Sequence, residues 1–145
     1  MITDIKPGAV HGSCVDFDGK AILAIGPSGS GKSSLALSLI ALGGTLVSDD
    51  QVILTTDLKG VTVSPPQTIR GKIEARHIGI LNCPFADRSH LRLVVDMSTK
   101  PKHRMPDLRR VMIGLHPVAI ISGKEIPSLP IAAKLLTLYG HAQTS

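Results

Sequence analysis

Residues 24–40, AIGPSGSGKSSLALSLI, join an apolar strand, a glycine- and serine-rich loop and an apolar helix end to end. Few folds accept that order. Gly26-Pro27-Ser28-Gly29-Ser30-Gly31-Lys32-Ser33 satisfies G-x-x-x-x-G-K-[ST] at every fixed position, and its flanks supply the strand and the helix that the pattern needs. Glycines let the backbone curl until successive N–H groups face one anion, and the helix N-terminus adds partial positive charge at the same point. Lys32 has the reach for the β- and γ-phosphates of a nucleotide, and the Ser33 hydroxyl stands where a magnesium ligand is required. The stretch therefore predicts a P-loop that takes a nucleotide, with ATP expected, together with Mg²⁺.

The flanking chain reads as a strand-rich α/β domain. Asp18-Gly19 is predicted to turn a hairpin between SCVDFD (13–18) and the strand Ala21–Ile25. The helix is expected over Lys32–Leu42, apolar on nearly every face and closed by Gly43-Gly44. TLVS (45–48) is a short strand ahead of Asp49-Asp50, residues 52–55 and 61–63 form a hairpin through DLKG, and Pro65-Pro66 break the chain. Further strands are expected at IGIL (78–81) and LRLVVD (91–96), with weaker ones at 111–115 and 118–122. Residues 97–110 read as a polar, basic loop, and Pro130–Tyr139 as a last helix with Gly140 beyond it. With 145 residues and 43% hydrophobic content, one domain over 1–145 with a substantial core is expected. The helices are too few for a regular βαβαβ alternation, so the sheet should be mixed.

Phosphoryl transfer needs a carboxylate for the metal and a base for the attacking hydroxyl. Two strands end in aspartate: TLVSDD gives Asp49 and Asp50, and LRLVVD gives Asp96. Adjacent acids at a strand end can divide the labour between metal and proton, whereas each aspartate can also simply begin a turn. Several P-loop classes fit poorly. An ABC-type ATPase needs a longer chain and an LSGGQ-like signature. A small GTPase needs N-K-x-D, and DLKG at Asp57–Gly60 reads as a turn. Small-molecule kinases stay open, as does a nucleotide-binding regulatory module with little or no catalysis.

Two motifs in order narrow the choice. HGSCVDFDGKAILAIGPSGSGKSSLALSLIALGGTLVSDDQV resembles the catalytic domain of the HPr kinase/phosphorylase family, which carries R/H-H-G, G-x-S-G-x-G-K-S, a glycine-ended helix and V-A-D-D. The family signature E-x-R-G-x-G-I-I/L-N then has its counterpart in Glu74-Ala75-Arg76-His77-Ile78-Gly79-Ile80-Leu81-Asn82, and the match spans about residues 9–96. The resemblance implies a phosphoenolpyruvate-carboxykinase-like fold and Mg-ATP phosphorylation of a serine on the small phosphocarrier HPr. It implies that Gly26–Ser33 bind the nucleotide with Lys32 on the phosphates, and that Ser33 and Glu74 hold Mg²⁺. Asp50 would accept the serine proton and Asp49 would support the metal or the base. His11 would lie near the transferred phosphate, and Arg104 would match an arginine of a loop near the site. Where the signature has glycine this chain has His77, expected to disturb a close backbone approach. The segment tied to dephosphorylation has only IPSLPIAAKLL (126–136) as its nearest stretch, without arginines, so kinase rather than phosphorylase activity is expected. A short form without the family's N-terminal domain, assembled as a hexamer, is implied as well.

Composition bounds the remaining possibilities. The net charge of +5 favours an anionic partner, and the densest basic run is KPKHRMPDLRR (100–110). That run suits a solvated loop and a functional patch equally. Phe17, Phe85 and Tyr139 are the only aromatics, too few for stacking on single-stranded nucleic acid. Cys14 and Cys83 have no metal-ligand spacing and are expected as buried free thiols. No membrane-spanning run or signal-peptide core is seen, so the cytoplasm is the expected location.

Overall fold

The computed structural model describes residues 2–142. Eleven strands and two α-helices follow one another as β1 (Asp4–Ile5), β2 (Gly8–Phe17), β3 (Lys20–Ile25), α1 (Lys32–Ala41), β4 (Thr45–Ser48), β5 (Gln51–Asp57), β6 (Gly60–Ser64), β7 (Lys72–Ala75), β8 (Gly79–Asn82), β9 (Ser89–Asp96), β10 (Arg109–Ile113), β11 (His116–Ser122) and α2 (Leu129–Tyr139), with one 3-10 turn at Gln67–Ile69. The main sheet runs β1-β10-β11-β9-β3-β2-β5-β6, with β4 beside β2. It is mixed: β9 lies parallel to both β3 and β11, while β2, β3, β5 and β6 meander antiparallel. The start of β9 also pairs with β6, so β9, β3, β2, β5 and β6 close on themselves. β7 and β8 form a separate two-stranded hairpin.

Two apolar cores follow from the period of two along these strands. In β3 the odd residues Ala21, Leu23 and Ile25 face the closed interior with Cys14, Val52, Leu54, Val63 and Val94. The even residues Ile22 and Ala24 face outward beneath α1 and α2, against Leu35, Leu39, Leu93, Val95 and Ala133. A strand covered on both faces needs a continuous apolar run, which AILAI (21–25) supplies in β3 and LVV (93–95) in the second half of β9. Val52, Leu54, Val61 and Val63 are buried in β5 and β6 between partly or fully exposed neighbours, as a half-covered meander should be.

The Asp18-Gly19 turn, with both residues at positive φ, joins β2 to β3 as the sequence predicts. α1 ends where expected: the Gly43 N–H donates to Ile40 and the Gly44 N–H to Leu39, with Gly43 left-handed at φ 102°. A side chain at Gly44 would strike Val15 and Phe17, so the helix exits flush against β2. α2 turns Leu129, Ala133 and Thr137 inward and leaves Ile131, Leu135 and Tyr139 exposed. Lys134 ties it to α1 through the Leu42 carbonyl at 2.7 Å.

Three expectations change. β1 and β7 were not foreseen, because two residues, or four with alternating charges, leave little apolar pattern. The weaker strands β10 and β11 form a full antiparallel hairpin beside β9. Cys14 is fully buried, which pushes its thiol well above the ordinary range, but Cys83 is only half-buried. Residues 97–108 form the expected loop and carry most of the basic run exposed to solvent. Among the described residues no helix is long and apolar enough to cross a membrane.

Leu39 is 1% exposed at the contact of α1 with the sheet. Leu39→Ala is expected to lower unfolding free energy by about 2–4 kcal/mol in a urea titration with unchanged slope.

Candidate active site

β3 delivers the chain to the glycine-rich loop at Ile25, and α1 takes it up again at Lys32. Gly26 sits at φ 144°, and a Cβ there would come within 2.7 Å of the Ser30 hydroxyl. Gly31 precedes the helix at φ 99°, a left-handed geometry that side chains resist. These two positions let the loop fold tightly over the helix start. The Ser30 N–H closes a turn onto the Pro27 carbonyl at 3.1 Å. The buried Lys32 ammonium donates to the carbonyls of Gly26 (2.8 Å) and Pro27 (2.9 Å), holding the loop from beneath.

Asp49, at the end of β4, is 6% exposed and accepts three hydrogen bonds. Ser13 Oγ (2.6 Å) and Ser33 Oγ (2.8 Å) both donate to Oδ1, and the Glu74 backbone N–H donates to Oδ2 at 3.0 Å. Three donors give this largely buried carboxylate the hydrogen bonds that bulk water would otherwise supply. Its negative charge reaches Cys83, whose thiol is raised by partial burial first and by Asp49 second. Asp50 follows at φ 76° with its side chain mostly exposed, and its Oδ1 lies 3.4 Å from His11 Nδ1. The Gly12 N–H donates to the Asp50 carbonyl at 3.1 Å and fixes this turn to β2. The adjacent acids thus differ sharply: Asp49 is buried and accepts three hydrogen bonds, and Asp50 is open.

One cavity of about 670 Å³ lies over these groups. His11, Ser28, Gly29, Gly31, Lys32, Ser33, Asp49, Asp50 and Glu74 all line it, so most residues singled out in the sequence come together. Gly26, Pro27 and Ser30 complete the loop behind that surface. Arg104 is the exception: it is exposed on the 97–108 loop and does not line the cavity. The likeness to the family is loosest in that loop, and no strand fixes its register there. Asp96 does not line the cavity either, although β9 sets it opposite Ile25 at the start of the glycine loop. It is 2% exposed and its Oδ1 accepts the Ser98 N–H and hydroxyl, capping the end of β9. Asp57 in DLKG does the equivalent for Lys59 and Gly60, as the turn reading predicts.

The lining residues outside the predicted site set include the polar Ser13, Lys72 and Arg76, along with Ser34, Ile69, Ile73 and Ile80. Lys72 and Glu74 share one face of β7, and Arg76 continues that face into the turn. The charged alternation K-x-E-x-R was the available signal. A serine inside an apolar strand gives no comparable signal.

A mixed, sheet-rich α/β domain whose glycine loop faces an aspartate pair across one cavity is the class that this geometry defines. The family model described as the HPr serine kinase C-terminal domain matches residues 5–132, and the chain belongs to that family. The HPr kinase/phosphorylase of Geobacillus kaustophilus is 36% identical over 135 residues, covering 87% of this chain and 42% of that protein. The Bacillus pumilus HPr kinase/phosphorylase is 33% identical over 132 residues, with the same coverage of each. The chain thus spans about two fifths of the length of these relatives. The solved Hpr(Ser) kinase/phosphatase of Coxiella burnetii shares the fold, with a TM-score of 0.75 at 24% identity over 88% of this chain and 92% of that one.

The glycine of the family signature now has a physical reason. His77 sits at φ 69° in the exposed turn between β7 and β8. The left-handed backbone of this turn is itself a reason for glycine there. His77→Gly is expected to raise unfolding free energy by about 0.5–1 kcal/mol, read as a higher midpoint in denaturant.

Proposed function

We propose that this chain is a Mg-ATP-dependent serine kinase whose acceptor is an HPr-like phosphocarrier protein. The observation that carries this reading is the opening of the glycine loop, Lys32 and the Asp49–Asp50 pair onto one cavity. Family membership supports the substrate class.

The residues fit the groups the reading requires. The glycine cradle over the α1 N-terminus suits phosphate oxygens, since side chains at Gly26 and Gly31 would spoil its curvature. The Ser33 hydroxyl, the Asp49 carboxylate and Glu74 offer hard oxygen donors of the kind Mg²⁺ takes, alongside phosphates and water. Among the described residues no three His, Cys, Asp or Glu side chains form a self-sufficient metal centre, and a metal that arrives with its nucleotide needs none. Bound magnesium would draw charge from the phosphate oxygens.

The chain's own residues would do the following. The loop N–H groups hold the β- and γ-phosphates, and Lys32 exchanges a loop carbonyl for a phosphate oxygen. Asp50, open to the cavity, accepts the proton of the acceptor serine as its oxygen bonds to the γ-phosphorus and the bond to ADP breaks. His11 beside Asp50 steadies that carboxylate. Phosphoserine and ADP are the products, and Asp50 returns its proton to water. Lys72 and Arg76 add positive charge along one wall, where a phosphorylated loop or the nucleotide would meet it. The cytoplasm is the compartment this reading expects, and hexamer formation rests on the family resemblance.

Incubation of the protein with Mg-ATP and an HPr-like carrier should add one phosphate to the carrier in intact-mass spectra. Lys32→Ala should cut the rate at least about a hundredfold. Asp50→Asn should leave ATP affinity within about twofold and lower turnover by about 10²–10⁴. Carrier of unchanged mass, with ATP still bound, would contradict the assigned acceptor. An unchanged rate in Asp50→Asn would contradict the assigned base.

A further inference from the structure

Ser13 belongs to a strand that is otherwise apolar where it crosses the core, with Cys14 and Val15 following it. It is 2% exposed, yet it lines the cavity and donates to Asp49 Oδ1 at 2.6 Å, the shortest of the three bonds that Asp49 accepts. The strand register is arranged around this contact. Along β2 and β4, Asp16 faces Thr45 and Val15 faces Leu46, but Cys14 faces Ser48. One residue, Val47, is skipped. From the other side, His11 faces Gln51 on β5, and the Gly12 N–H bonds to the Asp50 carbonyl. Both directions bring Ser13 directly opposite Asp49. Without the bulge, β4 would continue with Ser13 opposite Ser48 and Gly12 opposite Asp49. Directly opposed residues on antiparallel strands share a face, so the bulge is what sets the Ser13 hydroxyl against the Asp49 carboxylate.

The same Asp49 oxygen accepts the Ser33 hydroxyl at 2.8 Å. A hydroxyl whose proton is committed to a carboxylate keeps its lone pairs for a cation. Its direction is only as fixed as the carboxylate that accepts the proton. We propose that Ser13 is a positioning residue for the metal-nucleotide site. Its hydroxyl locks the Asp49 rotamer, and Asp49 in turn aims Ser33 Oγ at the cation. This rests on the reading of Ser33 as a magnesium ligand given above. Without the Ser13 donor, Asp49 keeps only the bonds from Ser33 and the Glu74 N–H, the carboxylate is held less firmly, and Ser33 has a less fixed acceptor. Groups that orient a metal ligand in this way are worth about 10–100-fold in metal affinity.

The test is ATP binding by isothermal titration calorimetry, with and without Mg²⁺, on the folded protein and on Ser13→Ala, Ser13→Thr and Ser13→Cys. Thermal unfolding confirms that each variant is folded. Ser13→Ala should raise the Mg²⁺ concentration for half-maximal enhancement of ATP binding about tenfold and leave metal-free ATP affinity within twofold. Ser13→Thr, which keeps the hydroxyl, should restore the wild-type Mg²⁺ requirement. Ser13→Cys, similar in size and a weaker donor, should fall between them, and it carries the comparison if the alanine variant does not fold. An unchanged Mg²⁺ requirement in Ser13→Ala would overturn the proposal. Equal losses with and without metal would also overturn it, since they mark a merely structural residue. If the unaltered protein shows no Mg²⁺-dependent ATP binding, the reading of Ser33 fails first and the proposal falls with it.

Discussion

Donors from three separate segments converge on the Asp49 carboxylate: the Ser13 hydroxyl from β2, the Ser33 hydroxyl from α1 and the Glu74 N–H from β7. A buried charge without partners would be very costly, so Asp49 can stay where it is only while all three segments remain in place. The dependence runs in the other direction too. The β7–β8 hairpin shares no strand pairing with the main sheet. It is held by the Glu74 bond, by Ile73 packed into the core beneath α1, and by the return of the chain along β4 at Phe85 and Ala86. One carboxylate thus joins the closed sheet, the helix behind the glycine loop and the hairpin that forms the far wall of the cavity.

The division between the two aspartates follows from the same geometry. Asp49 ends β4 and points inward to its donors. Asp50, one residue on, takes a left-handed conformation at φ 76° that turns its side chain out to His11 and the cavity. Left-handed backbone is least costly for glycine, asparagine and aspartate, so an acid can occupy this corner with modest strain. The corner separates a buried, triply hydrogen-bonded carboxylate suited to holding groups in place from an open one suited to exchanging a proton. Lys32, folded onto the carbonyls of Gly26 and Pro27, gives the loop an internal prop.

Much of this was legible in the chain itself, and the reasons differ from place to place. The glycine loop announced itself because strand, loop and helix follow in one uninterrupted segment. Asp49 and Asp50 stood out because two acids end an apolar strand. Closure of the sheet was not legible, because it depends on β9 pairing with β3, β11 and β6 at once, a matter of register between segments far apart in sequence. Ser13 was hidden for a related reason. Its role comes from a one-residue bulge opposite β4, and no local pattern around GSCV reports it. Arg104 shows the reverse case, a residue suggested by resemblance alone that stands exposed and does not line the cavity. His77 was visible as an oddity, but only the backbone angle explains which property of glycine is missing.

The most direct test of the account is a crystal structure of the protein with Mg²⁺ and a non-hydrolysable ATP analogue. The expected result has the β- and γ-phosphates within the Gly26–Gly31 loop, Lys32 Nζ on a phosphate oxygen, Ser33 Oγ on the metal with Asp49 still accepting its proton, and Asp50 facing the γ-phosphate. A nucleotide bound elsewhere, or one seated in the loop with its metal beyond reach of Ser33, would contradict it.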